Sequence, residues 1–236
     1  MIIIPARIAS SRFPAKVLYE INGIPMVVAT AQRVQSIDDV VIATDSEKVV
    51  KVAKSYGFEA IMTSPNHPSG TDRVSEAATI LGIREDEIII NVQADEPFIE
   101  PEVVEKLKIL TQKHQNDPSV MINSCYKKLP YPQKNDPNLV KVITSQNDFA
   151  LYFSRSLIPF DRDRNNPSIK AHLGLYGYTK KMLDRFCQLP KAPLEEIEKL
   201  EQLRALYHGY KIAMVEVESK SSGIDTLEDL IRLGLA

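Results

Sequence analysis

Residues 2–62 alternate between short apolar runs and stretches of helical period, a pattern that few folds accept. Residues 2–4 (Ile-Ile-Ile) and 40–43 (Val-Val-Ile-Ala) carry no polar alternation, which predicts strands buried on both faces, the first of them stopped by Pro5, which lacks a donor for the ladder. Between them Met26, Val27, Ala29, Thr30, Ala31 and Val34 form a mostly apolar helix. Asp45 stands where it can cap a second helix, on which Val49, Val52, Ala53 and Tyr56 share one face. Gly57 ends that helix, and residues 58–62 give a third strand. This β-α-β-α-β order predicts an α/β fold with a mainly parallel, doubly wound sheet.

The pattern then continues and changes. Residues 63–72 (Thr-Ser-Pro-Asn-His-Pro-Ser-Gly-Thr-Asp) are a loop by composition. A helix follows with Val74, Ala77, Ala78 and Leu81 inward, then a buried strand over 88–92 that ends in Gln93-Ala94-Asp95-Glu96-Pro97. Pro101 opens the next helix at its first position. Beyond residue 117 the strands expected at 120–126, 140–144, 150–153 and 171–179 are joined by turns rich in Pro, Asn and Asp, which favours antiparallel pairing. Helices are expected over 180–188 and, as one piece, 194–207, with Ile197, Leu200, Leu203 and Leu206 apolar. A strand over 212–217 precedes a last helix with Thr226 and Asp229 in capping-box spacing. With no repeat and no linker, residues 1–236 read as a single domain: a nucleotide-binding half, 1–117, and a smaller mixed or antiparallel half, 118–236.

Composition excludes several classes. Hydrophobic content of 44% and charged content of 25% are those of an ordinary globular chain. A net charge of −2 supplies no field for nucleic acid or an anionic membrane. No apolar run approaches the roughly 20 residues that span a bilayer, and the first residues lack the pattern of a signal peptide. Cys125 and Cys187 stand alone without CxxC spacing, as in a reduced cytoplasmic protein. His67, His114, His172 and His208 show no zinc-site spacing.

The chemistry is expected at strand ends. Neither G-x-G-x-x-G nor a Walker A loop is present. Instead, the loop leaving the first strand holds Arg7, Arg12 and Lys16, at the sheet edge where open α/β sheets bind ligands. Cations there suit a polyanion, most simply a triphosphate. Ser69-Gly70-Thr71-Asp72-Arg73, Asp95-Glu96 and Asp225 complete the set. Cations for phosphates and separated carboxylates for Mg²⁺ are the parts of phosphoryl or nucleotidyl transfer. Asp95-Glu96-Pro97 reads equally well as a turn with a helix cap.

Pro5-Ala6-Arg7, Ser11-Arg12-Phe13-Pro14 with Lys16, and Asn91-Val92-Gln93-x-Asp95-Glu96-Pro97 resemble the signatures of sugar-acid cytidylyltransferases. Ala150-Leu-Tyr-Phe-Ser-Arg155-x-x-Ile158-Pro159, His172-Leu-Gly-x-Tyr176-Gly, Leu200-Glu-Gln-Leu-Arg204 and Gly223-x-Asp225-Thr226 follow in the same order. Together they cover nearly the whole chain. The chain is thereby identified with the 3-deoxy-manno-octulosonate (Kdo) cytidylyltransferase family, and is less similar to CMP-sialic acid synthetases, whose first loop differs.

The resemblance implies that CTP and Kdo give CMP-Kdo and pyrophosphate with Mg²⁺, for lipopolysaccharide biosynthesis, in a cytoplasmic homodimer. It implies that Arg7, Arg12 and Lys16 hold the triphosphate, with Ala6 and Ser11 in the same loop. Ser69, Gly70, Arg73 and Gln93 would surround cytosine and ribose. Asp95 and Asp225 would ligate Mg²⁺, their carboxylates within roughly 5 Å of one another. Lys16, Arg12, Asp95 and Asp225 would be catalytic, and Arg162, His172, Tyr176, Glu201 and Gln202 would hold the sugar acid. On a regular strand His172 and Tyr176 share a face roughly 13 Å apart, flanking Gly174. Glu201 and Gln202 would be neighbours on a helix. Ala94 and Ala15 stand where the family usually or often has Gly. A scaffold that kept the fold without turnover, and an enzyme for an amino derivative of Kdo, are the rival readings.

Overall fold

The computed structural model describes residues 1–9, 13–132, 135–221, 223–224 and 226–235. Arg12, Ser11 and Asp225, expected at the site, lie outside the described residues, and with Asp225 goes its expected approach to Asp95.

Strand β1 (Ile2–Ala6) is fully buried, and its side chains alternate between two cores. Ile2 and Ile4 pack on one face of the sheet with Val27, Ala31, Val49 and Leu107. Ile3 packs on the other with Val74, Ala77, Leu183 and Phe186. Those partners come from α1 (Met26–Val34), α2 (Glu47–Ser55) and α4 (Pro101–His114) on the first face, and from α3 (Gly70–Ile80) and α5 (Lys180–Gln188) on the second. An apolar run without alternation is what a strand with both faces covered requires.

β1 pairs in parallel with β4 (Val40–Thr44) on one side and β6 (Ile88–Asn91) on the other, and β5 (Glu59–Met62) pairs in parallel outside β4. The nine-stranded sheet continues from β6 to β10 (Ile169–Thr179), β7 (Val120–Leu129) and β11 (Lys211–Glu216). β8 (Lys141–Thr144) and β9 (Ala150–Ser154) branch from β10 as an antiparallel pair. A small antiparallel hairpin, β2 (Glu20–Ile21) and β3 (Ile24–Pro25), lies apart. The sheet is thus mainly parallel, with β10 running against both neighbours. The second half is more parallel than its turns imply, because β11 pairs in parallel with β7.

Four local expectations are corrected. Pro5 sits inside β1 opposite Ala43 and does not end it. The carbonyls of Met1 and Ile3 accept from Ile90 and Val92, so odd residues face β6, and β6 stops at Asn91. The amide that Pro5 lacks would have had no ladder partner there. Second, Ser46 and not Asp45 stands at the cap position of α2. Third, α3 begins at Gly70, so the preceding loop is shorter than 63–72, and Ser69 caps it by accepting from the Asp72 amide. Fourth, the single helix expected over 194–207 is two, α6 (Pro193–Glu198) and α7 (Leu203–Tyr207), parted at Lys199 with φ 53°. Arg155 holds the break by donating to the Glu198 and Lys199 carbonyls at 2.7 and 3.3 Å. The last helix, α8 (Leu227–Arg232), has the Thr226–Asp229 capping box.

α4 crosses β10 at Gly177, where a methyl group would stand 2.0 Å from Thr111 Oγ1 and 3.1 Å from Thr111 Cβ. Gly177→Ala should therefore lower stability by about 1–3 kcal/mol through overpacking, measured by urea unfolding. Adding Thr111→Ala removes the nearer atom and should return part of the loss. Wild-type stability for Gly177→Ala alone would mean that α4 lies farther from β10.

Candidate functional site

The site begins where β1 and β6 end side by side. Arg7 follows directly on β1 and is exposed, whereas Ala6 is fully buried, so only its backbone can meet a ligand. The chain returns at Ala15, held in the left-handed region at φ 54°, at a cost of roughly 1–2 kcal/mol for a residue with a side chain. The turn Lys16–Leu18 follows. It aims Lys16, which is nearly buried, at the end of β6, where Nζ reaches Asp95 Oδ2 at 2.7 Å. The cation expected on the triphosphate and the carboxylate expected on the metal are thus direct partners. Ala94 leaves the approach unstrained. Its φ is not positive, its methyl is buried, and its carbonyl accepts from Thr30 Oγ1 at 3.0 Å.

Gln93 and Gly70 meet beside this pair. A methyl on Gly70 would sit 3.4 Å from Gln93 Oε1 and 3.3 Å from Pro5 Cγ, so the start of α3 lies against β1 without a side chain between. Gln93 Nε2 donates to Asn91 Oδ1 at 3.2 Å. Ser69 Oγ donates to Asp72 Oδ2 at 2.6 Å. Arg73 points inward. It is buried against Thr63 Oγ1 at 2.6 Å and Asp45 Oδ2 at 3.2 Å. The other Asp45 oxygen accepts from the Ile8 amide at 3.0 Å. Asp45 therefore ties α3 to the loop after β1 and is not spent as a cap. It is a strand-end carboxylate like Asp95, and that position was the available signal.

Past Glu96 a cavity of about 490 Å³ opens, lined by His172, Tyr176 and Gln202, with Glu96, Lys127 and Gly223 toward the Asp95 end. His172 and Tyr176 share a face of β10 but are far closer than a regular strand allows. His172 lies opposite Tyr126, Leu173 opposite Cys125 and Tyr176 opposite Ser124. Two residues bulge out, and the separation falls to about two strand steps, ~6.6 Å. The ring centroids stand 5.7 Å apart.

Ser124 Oγ donates to the Leu175 carbonyl at 2.7 Å, so its 2.9 Å contact with His172 Nε2 is a bond donated by the ring. Nδ1 remains an acceptor. Desolvation pushes His172 down to about 3, which keeps the ring neutral. Burial also raises Glu96 to about 7, with the Asp95 charge adding to it and the Ser221 hydrogen bond opposing it.

Glu201 and Gln202 lie in the turn between α6 and α7 and not on a helix. Gln202 accepts from Tyr176 OH at 3.2 Å, and its Nε2 is buried without a hydrogen-bond partner. Glu201 turns away from the cavity to accept from Thr71 Oγ1 at 2.5 Å, and burial raises its pKa. Arg162 is exposed and does not line the cavity.

Among the described residues no three His, Cys, Asp or Glu side chains cluster as a metal cage. Mg²⁺ needs no such cage. It takes hard oxygen donors, commonly one or two carboxylates completed by phosphates and water. Asp95, with 28% of its side chain exposed at the mouth, is a donor of that kind. No described helix is long and apolar enough to cross a membrane.

Residues 1–212 match the family model described as cytidylyltransferase. The chain is 64% identical over 233 residues to a 3-deoxy-manno-octulosonate cytidylyltransferase of a Nitratiruptor species, covering 99% of this chain and 98% of the relative. It is 54% identical over 236 residues to the protein of the same name from Wolinella succinogenes, with 98% and 97% covered. A solved structure of CMP:2-keto-3-deoxy-manno-octonic acid synthetase complexed with CTP superposes with a TM-score of 0.89 at 36% identity, over 98% of this chain and 95% of that one.

His172 gives the site a pH signature. Its folded pKa of about 3 lies below the ordinary 6.5, so as pH falls the unfolded chain takes a proton that the folded one refuses. The contribution is fully present above 6.5 and is lost progressively toward 3. Urea unfolding from neutral pH to about 4 should show wild type losing more stability than His172→Gln. Parallel curves would mean that His172 is solvated.

Proposed function

The chain belongs to the cytidylyltransferase family, among the 3-deoxy-manno-octulosonate cytidylyltransferases, and we infer that it transfers CMP from CTP to the anomeric hydroxyl of Kdo and releases pyrophosphate. The observation that carries this reading is the Lys16–Asp95 contact at 2.7 Å, at the ends of two adjacent parallel strands and beside a polar cavity. A cation and a carboxylate held together are each available to opposite charges of a metal-bound triphosphate.

The protein's part is largely positioning and electrostatics. Lys16, with Arg7 and Arg12 on the same loop, draws the triphosphate to the end of β1. Gln93 and the start of α3 flank the base and ribose. A buried donor without a partner, Gln202 Nε2, and an acceptor nitrogen, His172 Nδ1, meet the sugar acid's hydroxyls, with Tyr176 fixed between them. The sugar hydroxyl oxygen bonds to the α-phosphorus as the bond to pyrophosphate breaks, and its proton leaves. Asp95 and Asp225 would hold Mg²⁺, which supplies positive charge against that accumulating on the phosphate oxygens.

Two further proposals accompany this reading. A homodimer through the 118–236 half is supported by large apolar side chains exposed there, Phe160 at 83%, Ile197 at 77% and Leu151 at 59%. A cytoplasmic location is supported by the CTP substrate and by two free cysteines, Cys125 and Cys187.

Pyrophosphate release with CTP, Kdo and Mg²⁺ tests the reaction, and a panel of sugar acids that includes an amino derivative of Kdo tests its substrate. ATP in place of CTP should give at least roughly 100-fold less, because a base site built on hydrogen bonds leaves buried groups unpaired with the wrong partner. Equal rates would refute the base pocket. Asp225→Asn should fold, lose most turnover and need more Mg²⁺. Wild-type rates at every metal concentration would remove Asp225 from the metal site, since Asn begins a helix as well as Asp does.

A further inference from the structure

The turn between α6 and α7 carries Gln202 to the cavity, and it is held from two sides. On one side Arg155 donates to the Glu198 and Lys199 carbonyls. The Glu198 carboxylate accepts there from Ser154 Oγ at 2.6 Å and from the Arg155 amide at 2.9 Å. On the other side Glu201 reaches across to α3. Its Oε1 accepts from Thr71 Oγ1 at 2.5 Å, over 130 positions of chain. Thr71 is the second residue of α3 and is wholly buried. Burial raises the pKa of Glu201, and the hydrogen bond from Thr71 is the strongest influence opposing that rise.

Glu201 and Gln202 are adjacent in the chain yet serve different surfaces. Gln202 lines the cavity, and Glu201 does not. Tyr176 OH occupies Gln202 Oε1 at 3.2 Å, which leaves Nε2 as a buried donor with no partner among the described residues. Such a donor serves a ligand only where its direction is already set. The backbone that sets it belongs to a short turn, closed by the Leu200 amide on the Glu195 carbonyl and the Ala205 amide on the Gln202 carbonyl, each at 3.2 Å. Without the Thr71 hydroxyl, Glu201 would lose the donor on Oε1, while Oε2 is already buried and unpartnered. A buried carboxyl in that condition is costly, and moving the turn relieves it.

We propose that Thr71 is a positioning residue for the sugar acid: through Glu201 it fixes the turn between α6 and α7, and with it the direction of the Gln202 donor. This rests on the proposed function, in which Gln202 meets the sugar's hydroxyls. Thr71 follows directly on Gly70, which flanks the nucleotide in that function. One turn of helix therefore serves both substrates. Its start faces the nucleotide, and its buried hydroxyl steadies the sugar end. Glu201 is a strut between the two and not a contact of the sugar. A group displaced by about 1 Å can lose roughly 100-fold in rate, and the partial release of one turn should cost roughly 10-fold.

The test measures initial rates of pyrophosphate release for wild type, Thr71→Val, Thr71→Ser, Glu201→Ala and the double variant Thr71→Val/Glu201→Ala, with thermal unfolding to check each fold. Thr71→Val removes the hydroxyl at nearly constant size. It should raise KM for Kdo by roughly 10-fold and leave KM for CTP unchanged. Thr71→Ser keeps the hydroxyl and should restore KM for Kdo. Because Thr71 acts through Glu201, the double variant should be no worse than Glu201→Ala alone. If Thr71→Val fails to fold, Thr71→Ala, which puts no methyl against the carboxyl, takes its place in both the single and the double variant. Wild-type KM for Kdo in the folded variant that lacks the hydroxyl overturns the strut. A double variant that shows the product of the two single effects also overturns it, by making Glu201 and Thr71 act separately. An equal rise in both KM values overturns it by making Thr71 a residue of general stability. A wild type that releases no pyrophosphate from CTP and Kdo overturns the proposed function, and the strut with it.

Discussion

The winding of the sheet reverses at β1, and the site exists because of that reversal. The chain builds outward from β1 through β4 to β5, then crosses back to lay β6 against the other edge of β1. The loops that leave β1 and β6 are thereby parted at the sheet's end, and a crevice opens between them. The Lys16–Asp95 contact spans it. The parallel pairing of β1 with β6 brings the N-terminal loop beside a turn that is nearly eighty residues later in the chain, 79 positions separating the paired side chains.

Behind the crevice the same region is braced by charges that no substrate need touch. Arg73 lies buried beneath the start of α3 against Asp45, whose side chain is 9% exposed, and Asp45 also holds the Ile8 amide. An arginine expected on the nucleotide is in this structure a strut between α3 and the loop after β1. A largely buried pair of this kind costs desolvation and is destabilising to break one-sidedly. Its place is consistent with holding the loop in register, because both partners are also hydrogen-bonded to other groups.

What the sequence made legible follows from how local each signal is. β1, β4 and β6 are apolar without alternation, a property of a few adjacent residues, and they stand nearly where that pattern puts them. Lys16 and Asp95 could be singled out because a strand end can be recognised without knowing its neighbours. Their pairing could not, since it depends on β6 lying next to β1. The same holds for Pro5, whose tolerance depends on where β6 stops, and for Asp45, whose partners come from two other elements. The helical period over 194–207 is real in composition, yet Arg155 takes the carbonyls that would have continued the helix. Lys127 gave no signal, because the groups its ammonium donates to are the Ser219 and Ser221 carbonyls, more than ninety positions away.

The bulge in β10 bears on how such a pocket can diversify. Gly174 and Leu175 are two extra residues against β7, and two is the period of a strand. Leu175 still reaches the core on one face, while His172, Tyr176 and Tyr178 keep to the other. A lineage could gain or lose such a pair, drawing the two rings together or apart, and leave every residue downstream on its own side. A single insertion would turn Tyr176 and Tyr178 over and send their hydroxyls into the opposite core. Length change at this point is quantised, and the His172–Tyr176 end of the pocket can be retuned in steps of two while the sheet that carries it is inherited intact.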